Sequence, residues 1–378
     1  MLLEKKRYGY NDIMIQPSSV SKVRHRRECF PFKNKEWVSS YGFVDMLPIF
    51  AAPMSTVVDV ENYDRFYENC IYAILPRNIS WDIRMNWIKK GKWVAVSLKE
   101  FEEFVCNETN FENFGENYSL RILIDVANGN MQKIFDLCKK AKEIHKSHLV
   151  IMAGNVANVE TYKIYCEANI DFCRVGVGGG AGCLTSNFVG IHDGIASLLN
   201  DITQQRIKQK CHGTKVVADG GIRGYSDVIK SLALGADYVM IGSLFAQALE
   251  SAGEIYEKEI GGKRVYIDKK TIEKEYGGNF FSKDGYGGKE FHYEIFKEFY
   301  GMASEEGQIA INGKVTKASE GLKRELRITT TLNEWSEKMI SYLRSAMSYC
   351  GIYTVDDFNP YYVNCQIMSQ SVQESLKK

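Results

Sequence analysis

The sequence predicts a single (β/α)8 barrel, and three observations carry the prediction. Short apolar, β-branched runs recur at 46–54, 70–75, 93–98, 120–127, 149–153, 172–177, 215–218 and 238–241, which makes eight. Segments with helical spacing lie between them, such as Val60-Tyr63-Phe66-Tyr67, Met131-Ile134-Phe135-Leu137-Cys138-Ala141 and Val228-Ile229-Leu232-Ala233. Continuous apolar strands alternating with amphipathic helices mean parallel strands buried on both faces, and eight such units close a barrel. Third, successive runs end on small residues and carboxylates, and a barrel gathers its strand ends on one rim. An open doubly wound sheet is the alternative, but its usual G-x-G-x-x-G does not follow the first run.

The whole chain reads as one barrel domain in five stretches. Residues 1–43, with a basic run at 22–27, form a lead-in that covers one end of the fold. Residues 44–250 hold the barrel strands and helices. Residues 252–298, rich in Gly, Lys and Tyr and including Gly261-Gly262-Lys263 and Gly277-Gly278, read as a polar, hairpin-bearing insertion after strand eight. Residues 299–334 suit a mobile active-site flap. Residues 335–378 provide an amphipathic helix and a tail that looks solvated beyond Asn364.

Composition narrows the function classes. Forty-eight basic residues against forty-seven acidic ones suggest no polyanion-binding surface, so nucleic acid is not an expected partner. No apolar run approaches the ~18 residues of a membrane span, and Met1-Leu2-Leu3-Glu4-Lys5-Lys6-Arg7 lacks a signal peptide's apolar segment. A cytoplasmic protein that meets no membrane is expected. The ten cysteines lack metal or scaffold spacing and fit reduced thiols. The histidines form no metal cluster.

One stretch stands out for chemistry. The run 172–177 empties into Gly176-Val177-Gly178-Gly179-Gly180-Ala181-Gly182-Cys183-Leu184-Thr185, with five glycines in seven residues. Glycine loses the most backbone freedom on ordering, so such a cluster belongs where amides approach a ligand or a loop must move. Most free cysteines are small buried hydrophobes, as expected for Cys70, Cys138, Cys166, Cys173 and Cys350. Cys183 sits among glycines instead, on a donor-rich loop that makes a thiol nucleophilic.

The other strand ends complete the rim. They are Ala51-Ala52-Pro53-Met54, Pro76-Arg77-Asn78, Asp125-Val126-Ala127-Asn128, Ala153-Gly154-Asn155, Asp219-Gly220-Gly221 and Gly242-Ser243. Gly220-Gly221 and Gly242-Ser243 open the last two loops, where barrels hold phosphates. Asp219 beside them is suited to accept two hydrogen bonds from a vicinal diol such as ribose. Phosphate, ribose and thiol together describe a nucleotide whose base faces Cys183.

At this point the residues resemble the IMP dehydrogenase/GMP reductase family. Ala51-Ala52-Pro53-Met54, Gly178-x-Gly180-x-x-Cys183-x-Thr185, Ala218-Asp219-Gly220-Gly221-Ile222 and Leu234-Gly235-Ala236-Asp237-x-Val239-Met240-x-Gly242 follow its pattern in order. Asp125-Val126-Ala127-Asn128-Gly129, Ile151-Met152-Ala153-Gly154-Asn155-Val156, Phe299-Tyr300-Gly301-Met302 and Ala318-Ser319-Glu320-Gly321 look like the reductase branch. The flap lacks the dehydrogenases' Arg-Tyr pair, and the stretch between Leu75 and Val94 leaves no room for the CBS modules dehydrogenases usually insert.

The resemblance implies an NADPH-dependent deamination of a purine nucleotide, GMP or a deoxy or modified relative, to IMP and ammonia. Cys183, Thr185 and Glu320 are then catalytic, although a glutamate in a polar loop is by itself usually a solvated charge. Met54, Asp219, Gly220, Gly221, Gly242, Ser243, Met302 and Ala303 bind substrate. Arg77, Asp125, Ala127, Asn128, Lys317, Ser319 and Gly321 bind cofactor. A monovalent cation at Gly178 and Gly180 and a homotetramer complete the expectation. The alternatives are an IMP dehydrogenase using NAD+ and a catalytically idle nucleotide-binding or assembly protein.

Several positions depart from the family pattern. Ala181 and Ala303 stand where relatives carry serines, Ser186 where a basic residue follows the threonine, and Ser55 where Asp is common. Arg77 replaces a Lys and Lys317 an Arg, while the third strand ends Ser97-Leu98-Lys99-Glu100 without a Gly-containing turn. Each lost hydroxyl bond to a phosphate costs roughly 1.5–3 kcal/mol. The chemical core matches the family, and the recognition shell has drifted.

Overall fold

A computed structural model describes residues 5–38, 42–107, 118–209, 213–258, 263–276 and 295–375; the side chains of 37, 38 and 273–276 are not described. Residues 1–4, Gly261-Gly262, 277–294 and 376–378, for which the sequence also gave expectations, lie outside the described residues.

All eight expected strands form: β1 Ile49–Ala51, β2 Tyr72–Ala73, β3 Trp93–Val96, β4 Leu120–Asp125, β5 Leu149–Val156, β6 Phe172–Val175, β7 Lys215–Asp219 and β8 Tyr238–Ile241. They pair in parallel in the order β2-β1-β8-β7-β6-β5-β4-β3. A parallel bridge between Leu75 and Val94 closes the ring between β2 and β3. Every residue of β3 and β8 is buried, as strands covered on both faces require. Helices on the outside include α1 Gln132–His145, α2 Val159–Glu167, α3 Ile195–Gln209 and α4 Tyr225–Ala233.

Side-chain size tapers along the strands, and that taper positions the site. At the strand starts Phe50, Tyr72, Trp93, Phe172 and Tyr238 interlock, with ring centroids 4.9 Å apart for Phe50–Tyr72, 5.7 Å for Phe50–Trp93 and 6.1 Å for Phe50–Phe172. Part of the lead-in lies over this end. Its strand Asn34–Val38, paired with Gly42–Met46, carries an Asn34 amide that donates to the Tyr238 hydroxyl at 2.7 Å. At the opposite end small residues stand at or just past the ends of the strands, Ala52 after β1, Gly154 near the end of β5 and Gly176 after β6, with Asp219 closing β7, which leaves the barrel open.

The insertion and the flap form one structure across the expected division at 298/299. Strands β9 Ile255–Lys258, β10 Arg264–Ile267, β11 Ile295–Tyr300 and β12 Lys323–Arg327 make an antiparallel sheet in the order β10-β9-β11-β12. Leu249, Ile255, Ile272, Ile295 and Ile328 pack beneath it. The helix expected at 335–347 is α6 Leu332–Tyr349, after α5 Glu305–Asn312 in the flap; a short helix, Gln370–Ser375, follows it near the end of the chain. A Thr331–Glu334 capping box starts α6, and its Trp335 packs edge-on to Phe245 at 4.7 Å.

Two expectations need correction. The chain beyond Asn364 is not simply a solvated tail, because Asn364–Ile367 pairs antiparallel with Ile13–Gln16 and ties the two ends together, although its side chains stay mostly exposed. Cys166 is disulfide-bonded, so the thiols are not all free. Of the others expected inside, Cys138, Cys173 and Cys350 are buried and Cys70 is half-buried.

One buried charge fastens the sheet to the barrel. Lys297 on β11 is fully enclosed, and its ammonium donates to Thr56 O at 3.0 Å, Ser251 Oγ at 2.6 Å and Ala252 O. Burial, followed by the charge of Lys269, pushes its pKa well below the ordinary lysine value. Replacing Lys297 with Ala orphans these acceptors and leaves a void, so we expect a loss of about 3 kcal/mol in urea denaturation. An unchanged midpoint would mean that the ammonium anchors nothing.

Candidate active site

The open end of the barrel forms a cleft of about 1100 Å³ including its mouth. Cys183, Thr185 and Glu320 all line it, although Glu320 is 135 residues away from the threonine. The Cys183 thiol donates to the Thr185 hydroxyl at 3.3 Å, and that hydroxyl donates to Glu320 Oε2 at 3.0 Å. A thiol, a hydroxyl and a carboxylate thus form one hydrogen-bonded chain, an arrangement along which a proton can move. Elsewhere burial pushes the Cys70 and Cys106 thiols up to about 11, which keeps them neutral.

Backbone contacts explain how the flap delivers Glu320. Leu184 N donates to Glu320 O at 2.7 Å, Leu322 N to Gly182 O at 3.0 Å and Glu320 N to Ala303 O at 3.1 Å. The approach is possible only without side chains. A Cβ on Gly301 would lie 2.2 Å from Gly182 O, and one on Gly321 would lie 2.4 Å from Ser304 N. On the far side, Gly220 and Gly221 have φ of 95° and 78°, left-handed values that glycine accepts, and their backbone lies against Gly179 and Gly180.

Every expected substrate residue lines the cleft: Met54, Asp219, Gly220, Gly221, Gly242, Ser243, Met302 and Ala303. The expected cofactor residues divide. Asp125 and Ala127 line the same cleft, whereas Arg77, Asn128, Lys317, Ser319 and Gly321 stand outside its walls. Arg77 donates to the Asp125 carbonyl at 3.1 Å, and Ser319 and Gly321 flank Glu320. The Lys317 side chain is exposed, and its backbone is held by the buried Gln308 amide. At the expected cation site, Gly178 O already accepts from Ser186 Oγ at 3.2 Å, and Gly180 O from Cys183 N at 3.0 Å. Among the described residues no group of His, Cys, Asp and Glu could hold a metal ion, and no helix is long and apolar enough to cross a membrane.

Asn155 and Arg174 also line the cleft, and no role was expected of either. Arg174 is buried inside the barrel and donates from Nη1 to Asp125 Oδ1 at 2.8 Å, from Nη2 to Asp219 Oδ2 at 2.8 Å and from Nε to the same oxygen at 3.1 Å. Asn155 Nδ2 donates to Asp219 Oδ2 at 2.8 Å and to Gly176 O at 2.9 Å. Burial opposes the guanidinium charge, but Asp219 and Asp125 outweigh it and hold its pKa above the ordinary arginine value. The available signal was an arginine inside an otherwise apolar strand, which demands a carboxylate partner.

Comparison with known proteins agrees with this geometry. A family model described as the IMP dehydrogenase / GMP reductase domain matches residues 117–377. The chain is 33% identical over 253 residues to a GMP reductase of Pediococcus pentosaceus, covering 65% of this chain and 73% of that protein. It is 29% identical over 358 residues to a GMP reductase of Clostridium acetobutylicum, with 92% of each chain covered. A GMP reductase of Bacillus subtilis is 28% identical over 353 residues, again with 91% of each chain covered. A thiol–hydroxyl–carboxylate chain at the open end of a closed eight-stranded barrel, together with these matches, places the protein in the IMP dehydrogenase / GMP reductase family of purine-nucleotide oxidoreductases.

Proposed function

We propose that the protein is an NADPH-dependent reductase that deaminates a guanine nucleotide to the corresponding hypoxanthine nucleotide and ammonia. The observation that carries this reading is the unbroken Cys183–Thr185–Glu320 chain, because release of an amine needs a proton donor beside the nucleophile.

In this reading the Cys183 thiolate attacks carbon 2 of the base and forms a C–S bond. The proton that Cys183 gives up to become the thiolate passes along Thr185 toward Glu320, the C2=N3 electron pair moves onto nitrogen until the amine leaves, and the same pair of residues protonates the 2-amino group. The C–N bond then breaks, ammonia leaves and a thioimidate remains on the sulfur. NADPH, when bound, supplies the hydride that reduces carbon 2. The C–S bond breaks with its electron pair on sulfur, which regenerates the thiolate and frees the product.

Gly220, Gly221, Gly242 and Ser243 hold the phosphate in this scheme, and Met54, Met302 and Ala303 hold the base. Asp125 and Ala127 lie in the same cleft as the thiol, so the cleft has polar and backbone groups for a nicotinamide ribose beside the base. The reading also carries a homotetramer and a cytoplasmic location. A monomeric mass in light scattering at micromolar protein would remove the tetramer.

The first test is NADPH oxidation with GMP, with ammonia and IMP quantified together. Matched ammonia and IMP support the reductase, whereas NADH formation from IMP and NAD+ without that reaction identifies a dehydrogenase. Cys183→Ala abolishes turnover if the sulfur is the nucleophile; surviving turnover rules the mechanism out. Thr185→Val and Glu320→Gln each lower kcat by about 100-fold, with KM changed less than about threefold. Gly301→Ala forces Glu320 away from Thr185, and kcat falls at least about tenfold; a wild-type kcat would show that the close flap approach is dispensable.

A further inference from the structure

The basic run at 22–27 takes no part in the cleft, and none of its residues lines it. Val23 and Cys29 are buried, so the segment between them lies on the protein as a strap and leaves Lys22, Arg24, Arg26 and Arg27 exposed. A 3-10 turn, Arg26–Glu28, holds that arrangement, with His25 Nδ1 accepting from Arg27 N at 3.1 Å. The side chains of Lys22, Arg24 and Arg27 have no hydrogen bond or ion pair to any described residue. The one carboxylate of the strap, Glu28, is turned back onto Arg24 N at 3.3 Å. Four cations within six residues repel one another, and no described carboxylate pairs with them.

The strap runs along the C-terminal half of α6. Ser21 Oγ donates to Ser348 O at 2.8 Å, Ser18 N to Tyr349 O at 3.1 Å, Arg344 Nε to Cys29 O at 3.2 Å and Phe30 N to Tyr353 O at 2.7 Å. Arg26 Nη1 donates to Ser345 Oγ at 3.2 Å. Tyr342, Ser345 and Tyr349 share one face of α6 by their spacing, so Arg26 meets the helix between two exposed tyrosines. Tyr349 is 72% exposed, and Phe30 and Tyr353 stand exposed where the strap ends. A recess lined by Ile15, Pro17, Ala346, Tyr349 and Cys350 opens beside them. Unpaired cations, open aromatic rings and an apolar recess thus lie together on one surface.

We infer that this surface binds a single-stranded nucleic acid, with the guanidinium and ammonium groups on its phosphates and its bases stacked on the exposed rings. Carboxylates of an acidic peptide would satisfy the cations alone, whereas bases also use the rings, since every base presents a π-face. A duplex keeps its bases stacked on one another, so the rings select the single strand. The balance of charge over the whole chain predicts no such surface; the fold assembles one locally by laying the basic run along α6. The inference does not depend on the chemistry at Cys183.

The test titrates the full chain into labelled single-stranded RNA, single-stranded DNA, a hairpin duplex and poly-glutamate, read by fluorescence anisotropy. We expect a single strand of either kind to bind with a log–log salt slope, between about 50 and 200 mM, that steepens by about 0.7 for each contacted phosphate. Arg24→Ala and Arg27→Ala each flatten the slope by about that amount. Both side chains touch nothing else, so the thermal midpoint stays where it was. Tyr349→Ala weakens single-strand binding about tenfold and leaves poly-glutamate unchanged, while Tyr349→Phe keeps the affinity of the unaltered chain. A duplex or poly-glutamate bound as tightly as the single strands overturns the inference in favour of a general acidic partner. No binding at the lowest salt overturns it as well, and so does binding that ignores Arg24, Arg27 and Tyr349.

Discussion

The open end of the barrel depends on one buried charge. Arg174 is carried by β6, the strand whose end presents Cys183, and reaches Asp125 at the end of β4 and Asp219 at the end of β7. Asn155 on β5 joins the same oxygen of Asp219. Four adjacent strands are therefore joined at their C-terminal ends by one network, three through the guanidinium and the fourth through Asn155 on Asp219. Taking that ion out of water costs several kcal/mol, and only well-placed carboxylates repay it. Without the arginine, two carboxylates would share an enclosed space with nothing to separate them. The structure thus places a costly group where two carboxylates meet on the wall of the cleft.

The second constraint is a set of backbone contacts rather than a charge. Gly182, Gly301 and Gly321 let the cysteine loop and the flap meet at distances no side chain permits, and Leu184, Leu322 and Glu320 exchange hydrogen bonds across that seam. Glu320 is exact in position because its neighbours are small. Lys297 secures the other end of the same strand, four residues before Gly301. The flap is therefore fastened below by an ammonium and docked above by peptide groups, with Phe299 between them facing the cleft.

Much of this was legible in the sequence, for identifiable reasons. The barrel strands are buried on both faces, so they appear as uninterrupted apolar runs, and all eight formed where expected. Cys183 and Thr185 lie two residues apart, so their meeting needed only a loop. Glu320 is different: its polar surroundings read as solvent until the fold brings it to Thr185, and only the family resemblance singled it out. The sheet containing β9 to β12 was divided because four of the five residues in Lys323–Arg327 are charged, which reads as a loop, and its partners are far apart in sequence. Arg174 was visible but mute. Its partners lie 45 and 49 residues away, and no local spacing announces them.

The ring cluster at the strand starts gives the cleft a back wall. Phe50, Tyr72, Trp93, Phe172 and Tyr238 fill the barrel axis from side to side, and the hairpin carrying Asn34 lies over them. Among the described residues the barrel is stopped at this end, and the cleft that holds Cys183 lies at the other, beside the flap. Whatever reaches Cys183 through the barrel's open end comes from the flap side, and that direction is fixed by five aromatic side chains that line no part of the cleft.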